Sequence, residues 1–260
     1  MKWMTAKLKR KIRSLLWKNG LFYFLGLLVV YGIKLQYSRA SSDDLIWILG
    51  PTAEAVEWMS SIRFEREALV GYISLSTGVI IAPACAGVNF LIVAFCTTFF
   101  SFVHRLKNWY GKLMWTGFAC LGAYVLAVMV NALRIILSIH LYNIEIYNTW
   151  LTPERVHRLE GILLYVILLC LFHAATNKIM GWYMAFTKDG DRQVAKGVKF
   201  LPDLTYPLLW YCMVAMGIPF MNGAFQNRGS IFLEHCLAIS SVCVVVFMSL
   251  FLIRWRIKNL

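Results

Sequence analysis

Residues 113–133 read LMWTGFACLGAYVLAVMVNAL, a run with no charged side chain that stops one position short of Arg134. At about 1.5 Å rise per residue such a run makes a helix of roughly 31 Å, enough to cross the hydrocarbon core of a bilayer. Within lipid the backbone has no water to bond, and a helix satisfies its own amides and carbonyls along the segment. Four more charge-free runs lie at 86–103, 161–177, 204–227 and 236–253. A shorter apolar stretch, 21–33, reaches spanning length if Lys34 snorkels to the interface. The rest of the composition agrees: 60% of the 260 residues are apolar, 15% are charged, and the mean hydropathy is +0.64. The expected fold is an all-α polytopic membrane protein of about six transmembrane helices.

The first stretch has a second reading, as a signal peptide cleaved near Ala40, because Ser38 and Ala40 are small. The stretch continues well past a usual signal core, and either reading leaves Ser41 outside.

The net charge of +13 suggests nucleic acid until its distribution is followed. With loops assigned alternately to two sides, the basic residues gather on one. Lys2, Lys7, Lys9, Arg10, Lys11, Arg13 and Lys18 precede the first span, and Arg105, Lys107 and Lys112 form the second inner segment. Lys178, Lys188, Arg192, Lys196 and Lys199 form the third, and Arg254, Arg256 and Lys258 end the chain. Most acidic residues, among them Asp43, Asp44, Glu54, Glu57, Glu65, Glu67, Glu145, Glu154, Glu160 and Glu234, fall on the opposite side. The positive-inside rule then puts both termini in the cytoplasm of a multi-pass protein of the inner or plasma membrane. No segment interleaves basic and aromatic residues as a nucleic-acid surface would, so nucleic acid is not an expected partner. Seven cysteines without a CxxC pair do not suggest a metal or disulfide framework, and neither metal nor cofactor is expected.

The organisation read from these signals is one integral membrane domain over 1–260. It has a basic cytoplasmic amino terminus (1–20), an extracytoplasmic segment (38–84), a core (85–176), a basic cytoplasmic loop (177–200) and two further spans (201–260). In the outer segment, 45–59 is apolar around much of its circumference but carries Pro51, Glu54 and Glu57, which suits an interfacial or re-entrant helix. Were it a true span, 72–84 would have to cross back, for eight spans in all. Residues 71–83, GYISLSTGVIIAP, place two β-branched runs about Ser76, Thr77 and Gly78, the pattern of a small hairpin that delivers Cys85 to the membrane surface. Pro83 blocks helix continuation backwards, and Gly87 leaves room for close backbone approach.

On this topology Cys85, Arg134 and His157 converge on one level at the outer face. A cysteine or histidine at a helix end ordinarily packs or faces the interface. Arg134 departs most from the ordinary case: uncharged residues precede it, Ile135, Ile136 and Leu137 follow it, and an ionised guanidinium there needs a partner or a polar cavity. A thiol attacks carbonyls as thiolate, for which a histidine supplies the base, and an arginine that keeps its charge can stabilise an oxyanion.

The strings ACAGVNF (84–90), NALRI (131–135) and HRLEG (157–161) resemble the exosortase and archaeosortase family of membrane transpeptidases. The resemblance covers roughly 45–176 and implies a catalytic triad of Cys85, Arg134 and His157. Asn131, Gly87 and Gly161 match the family's supporting motif positions, Asn131 one helical turn from Arg134 and able to brace it. Alanine at Ala86 departs from the serine usual after the family's cysteine. The short chain, with two spans after the triad, looks most like the exosortase K branch. The resemblance further implies a membrane cysteine protease or transpeptidase that cleaves the carboxy-terminal sorting signals of exported proteins through a thioester. Its substrate would carry a short motif, a transmembrane helix and a basic cluster, and an amine or water would resolve the intermediate.

Two other readings compete. Glu234, His235 and Cys236 form a second outer thiol cluster, but adjacent helical residues point in different directions. A transporter or scaffold would use Arg134 to bind an anionic ligand, yet only 204–227 is broken by Pro207, Gly217 and Pro219, with no counterpart in the first half. His140, Tyr142 and Glu145 are expected in a surface loop, His104 on the cytoplasmic side and His173 deep in a span.

Overall fold

A computed structural model of the chain describes residues 2–142, 152–187, 200–227 and 229–258. Glu145, Lys188, Arg192, Lys196 and Lys199 of the charge pattern lie outside the described residues. The elements in order are α1 (Lys2–Arg39), α2 (Ile46–Ser60), β1 (Glu65–Glu67), β2 (Gly71–Ile73), β3 (Ile80–Ile81), α3 (Val88–Phe102), α4 (Trp109–Tyr142), α5 (Pro153–Thr187), α6 (Phe200–Met221), α7 (Ala224–Asn227) and α8 (Gly229–Lys258).

Five segments among the described residues are long and apolar enough to cross a membrane: Trp17–Arg39, Pro83–Arg105, Trp109–Tyr142, Pro153–Phe186 and Gly229–Ile253. Thr205–Met221 is a shorter apolar helix, interrupted by Pro207 and Pro219. The protein is an all-α polytopic membrane protein with a small sheet, and these six helices are the six expected from hydropathy. The eight-span alternative fails because 72–84 contains strands and a 3-10 turn instead of a second crossing helix.

The most enclosed helix is α3, which packs on α1, α4, α5 and α6. Phe95 and Phe99 stack at 5.2 Å along it, and Phe102 meets Trp115 of α4 edge-on at 5.6 Å. Opposite faces of the bundle are tied separately. At the end expected to be cytoplasmic, Arg105 Nη1 donates to Asn177 Oδ1 (2.9 Å) and Lys112 Nζ to Asn19 Oδ1 (2.6 Å). His104 and His173 belong to this half, and the His173 ring packs on Phe102 at 5.1 Å.

The helix α2 lies against α4 and the sheet. Pro51 sits inside it and has no N–H for the carbonyl of Trp47, four residues earlier. The Tyr124 hydroxyl of α4 takes that place, donating to Trp47 O at 2.6 Å. Of the hairpin expected over 71–83, β2 and β3 form the antiparallel pair, with Tyr72 opposite Ile81. Beyond the expectation, β1 adds a third strand, with Glu65 opposite Ile73. Lys34 Nζ donates to Asn89 Oδ1 at 3.1 Å, an exposed contact between α1 and the first turn of α3. One expectation is corrected. His140 and Tyr142 are not in a loop, since α4 continues through Tyr142 and the His140 ring bonds the carbonyl of Ile136 at 2.9 Å.

Candidate active site

The last strand leads into a 3-10 turn, Pro83–Cys85, in which Cys85 N donates to Ala82 O (2.8 Å) and Ala86 N to Pro83 O (3.1 Å). Gly87 follows with φ 67°, the left-handed conformation that glycine adopts without penalty, and it reverses the chain into α3. A Cβ there would lie 3.1 Å from Cγ of Asn131, so Gly87 also lets the turn come down onto α4. Asn131, almost wholly buried, uses that approach: its Nδ2 donates to the backbone carbonyl of Cys85.

Along α4, Asn131, Arg134 and Ser138 are spaced three and four apart and share a face; along α5, His157, Gly161 and Tyr165 recur every four. The two faces meet. Tyr165 stacks on Phe90 with ring centres 4.4 Å apart, and its hydroxyl donates to Asn131 Oδ1 while accepting from Arg134 Nη1, both at 3.1 Å. Asn131 therefore reaches Arg134 through Tyr165, not by the direct brace that their spacing suggests. Arg134 Nη2 lies 2.6 Å from His157 Nε2. A Cβ on Gly161 would stand 2.9 Å from Arg134 Nε, so the glycine is what makes room for the guanidinium beside α5.

On its other side the His157 ring meets Ser138 Oγ, 2.9 Å from Nδ1, and the same hydroxyl donates to Glu160 Oε2 at 2.9 Å. A hydroxyl has one proton. With that proton given to the carboxylate, Ser138 can only accept from His157, so Nδ1 carries the imidazole proton and Nε2 presents its lone pair to Arg134. Glu160 is 6% exposed, its Oε2 is 3.9 Å from His157 Nδ1, and its Oε1 has no hydrogen-bond partner among the described residues.

The structure brings Arg134 and His157 into direct contact. Cys85 is near enough for its thiol to interact electrostatically with Arg134 and Tyr165. Among the described residues no hydrogen bond joins that thiol to His157, and the connection runs from the Cys85 carbonyl through Asn131, Tyr165 and Arg134. Ser138, Glu160 and Tyr165 are not singled out by the sequence reading, although their helical spacing from Arg134 and His157 was the available signal.

Two cavities flank the Arg134–His157 pair. One of about 410 Å³ is lined by Lys34, Asn89, Arg134, Arg158, Tyr165 and His235, with α6 closing much of the rest. The other, of about 280 Å³, is lined by Ser138, Tyr142, Glu154, His157 and Glu160 among others. The ends of α1, α4 and α6 and the starts of α3, α5 and α8 all contribute to the first, as alternating spans require. The competing cluster is drawn apart: Glu234 accepts from Arg155 (3.1 Å) and pairs with Arg158 (3.6 Å), His235 bonds the carbonyl of Ala215 (3.3 Å), and Cys236 lines neither cavity. Among the described residues no group of three or more His, Cys, Asp or Glu side chains is placed to hold a metal ion.

The family model described as transmembrane exosortase (Exosortase_EpsH) matches residues 9–174. The match takes in α1, begins well before the stretch marked by the three motifs, and stops short of α6 and α8. No curated protein and no solved structure matches.

Proposed function

Because the chain belongs to the transmembrane exosortase family, we propose that it is a cysteine transpeptidase or protease acting on exported proteins with a carboxy-terminal sorting signal, and that Cys85, Arg134 and His157 carry the reaction. The observation that carries this reading is the contact between Arg134 and His157 on a helix face whose Asn131 also grips the backbone of Cys85.

In the resting arrangement Arg134 occupies the Nε2 lone pair, so the nitrogen takes a proton only in the fraction of molecules in which that bond is open. The carbonyl oxygen of a bound substrate gives the guanidinium another acceptor. As Nη2 turns to it, Nε2 is freed to take the thiol proton, and the thiolate attacks the carbonyl carbon. Arg134 holds the oxyanion while the scissile C–N bond breaks and His157 returns the proton to the leaving amine. The product is a thioester on Cys85. An amine or water then attacks it, gives up a proton through His157, and releases the thiol. The departing segment is the substrate's transmembrane helix with its basic cluster. On this reading the site faces the extracytoplasmic side and both termini are cytoplasmic. Within the family, the exosortase K branch is the subtype proposed, from the two spans that follow the triad.

The test is a chromosomal Cys85→Ala exchange followed by mass spectrometry of carboxy-terminal peptides of membrane and exported proteins. A set of exported proteins should keep a terminal transmembrane segment that the wild type removes. Unchanged termini, or the same retention on exchanging Cys236 alone, would remove Cys85 from the role.

A second reading is favoured by the cations Lys34, Arg134 and Arg158 around the larger cavity: a transporter or scaffold holding an anionic ligand there. It predicts that Cys85→Ala leaves function intact while Lys34→Met abolishes it, the opposite of the first.

A further inference from the structure

We propose that Ser138 and Glu160 are positioning residues for His157, a relay that keeps the imidazole proton on Nδ1 and balances the charge the ring gains when Nε2 takes the thiol proton. The inference rests on the reading of His157 as the base. It goes beyond the three motif residues, since neither Ser138 nor Glu160 touches the reacting atoms.

The relay follows from proton counting. Ser138 Oγ is 2.9 Å from both His157 Nδ1 and Glu160 Oε2, so one hydroxyl bridges ring and carboxylate. A carboxylate only accepts, which fixes the hydroxyl proton toward Glu160 and leaves the serine lone pair for Nδ1–H. The opposite tautomer would put two donors, Nε2–H and Arg134 Nη2–H, against each other at 2.6 Å. Both sides of the ring thus select the same proton position. When Nε2 accepts the thiol proton nothing has to leave Nδ1: the ring becomes a cation 3.9 Å from a carboxylate that is 6% exposed. The imidazole side chain is 48% exposed, so solvent screens the pair in part, but an opposite charge at that distance still favours the charged ring. Among the described residues, the charged and titratable groups facing His157 are Arg134 and Tyr142 from α4 and Glu160 and Glu154 from α5. Arg134 opposes protonation of the ring, so an anion on the other side is what permits it.

The test needs no substrate. Cys96, Cys120, Cys170, Cys212, Cys236 and Cys243 are replaced by alanine, leaving Cys85, and the full chain is held in lipid nanodiscs. The rate at which iodoacetamide alkylates Cys85 is followed against pH, and ¹⁵N-histidine spectra, with His157→Gln for assignment, report the tautomer. Ser138→Ala should shift the Nδ1 resonance, because Arg134 still holds the proton on Nδ1 while that N–H loses its acceptor, and Glu160→Gln should lower alkylation at pH 7 by about tenfold or more. Ser138→Thr, which keeps the hydroxyl, should restore both. If Ser138→Ala leaves the Nδ1 resonance at its parent position, or if the Glu160→Gln profile overlays the parent while His157→Ala lowers it, the relay is wrong and the base assignment survives. If His157→Ala leaves alkylation unchanged, the pairing of Cys85 with His157 falls, and the tautomer spectra still decide the relay.

Discussion

Gly161 of α5 lies so close to Arg134 of α4 that a single added carbon would sit 2.9 Å from the guanidinium Nε. Helix propensity favours alanine over glycine by about 1 kcal/mol, while crowding a packed site costs about 1–3 kcal/mol. The net cost is about 0–2 kcal/mol, so Gly161→Ala should still fold, with a thermal midpoint at most several degrees below the wild type. The guanidinium must still shift, and processing should drop by at least about tenfold, since small displacements of a charge-stabilising group are expensive. Full activity in a Gly161→Ala strain, by the carboxy-terminal peptide assay, would show that the Arg134 position is not critical.

Arg134 uses two separate nitrogens, Nη1 on Tyr165 and Nη2 on His157. An ammonium keeps the charge without the planar fork, so Arg134→Lys should lose about 10²–10³ in rate although the protein accumulates normally. Cys85→Ser should be at least as damaging, since oxygen holds its proton far more tightly than sulfur. Cys236→Ser should be tolerated. Near-normal processing by Cys85→Ser would sink the mechanism.

Tyr124 donates to the Trp47 carbonyl that Pro51 leaves without its helical donor. Tyr124→Phe should cost about 1–3 kcal/mol, the price of a carbonyl left without its bond. Pro51→Ala returns the missing N–H, so the same phenylalanine should cost much less in that background. A double-mutant cycle by thermal unfolding in detergent measures the difference. Strictly additive effects would mean that the two residues do not serve one carbonyl.

For sidedness, the charge asymmetry predicts that a single cysteine at Leu75, exposed between β2 and β3, reacts in intact cells with a membrane-impermeant maleimide, whereas one at Lys107 does not. Labelling at Lys107 with none at Leu75 would invert the assignment and put Cys85 inside.

The sequence by itself determines the helical bundle, because each span must bury a length of apolar side chains set by the bilayer and must satisfy its own backbone. It likewise marks Asn131 with Arg134 and His157 with Gly161, since residues one turn apart share a helix face whatever surrounds them. The strand pair after Gly71 is legible for the same local reason. The partners of those faces are not legible. Which side of α4 turns toward α5 depends on how two long helices rotate and slide against each other, and that is settled by the summed packing of α3, α5 and α6, not by periodicity within either helix. Only the tertiary structure therefore makes Tyr165 the link between Asn131 and Arg134, brings Ser138 and Glu160 to the imidazole, and pairs Lys34 with Asn89.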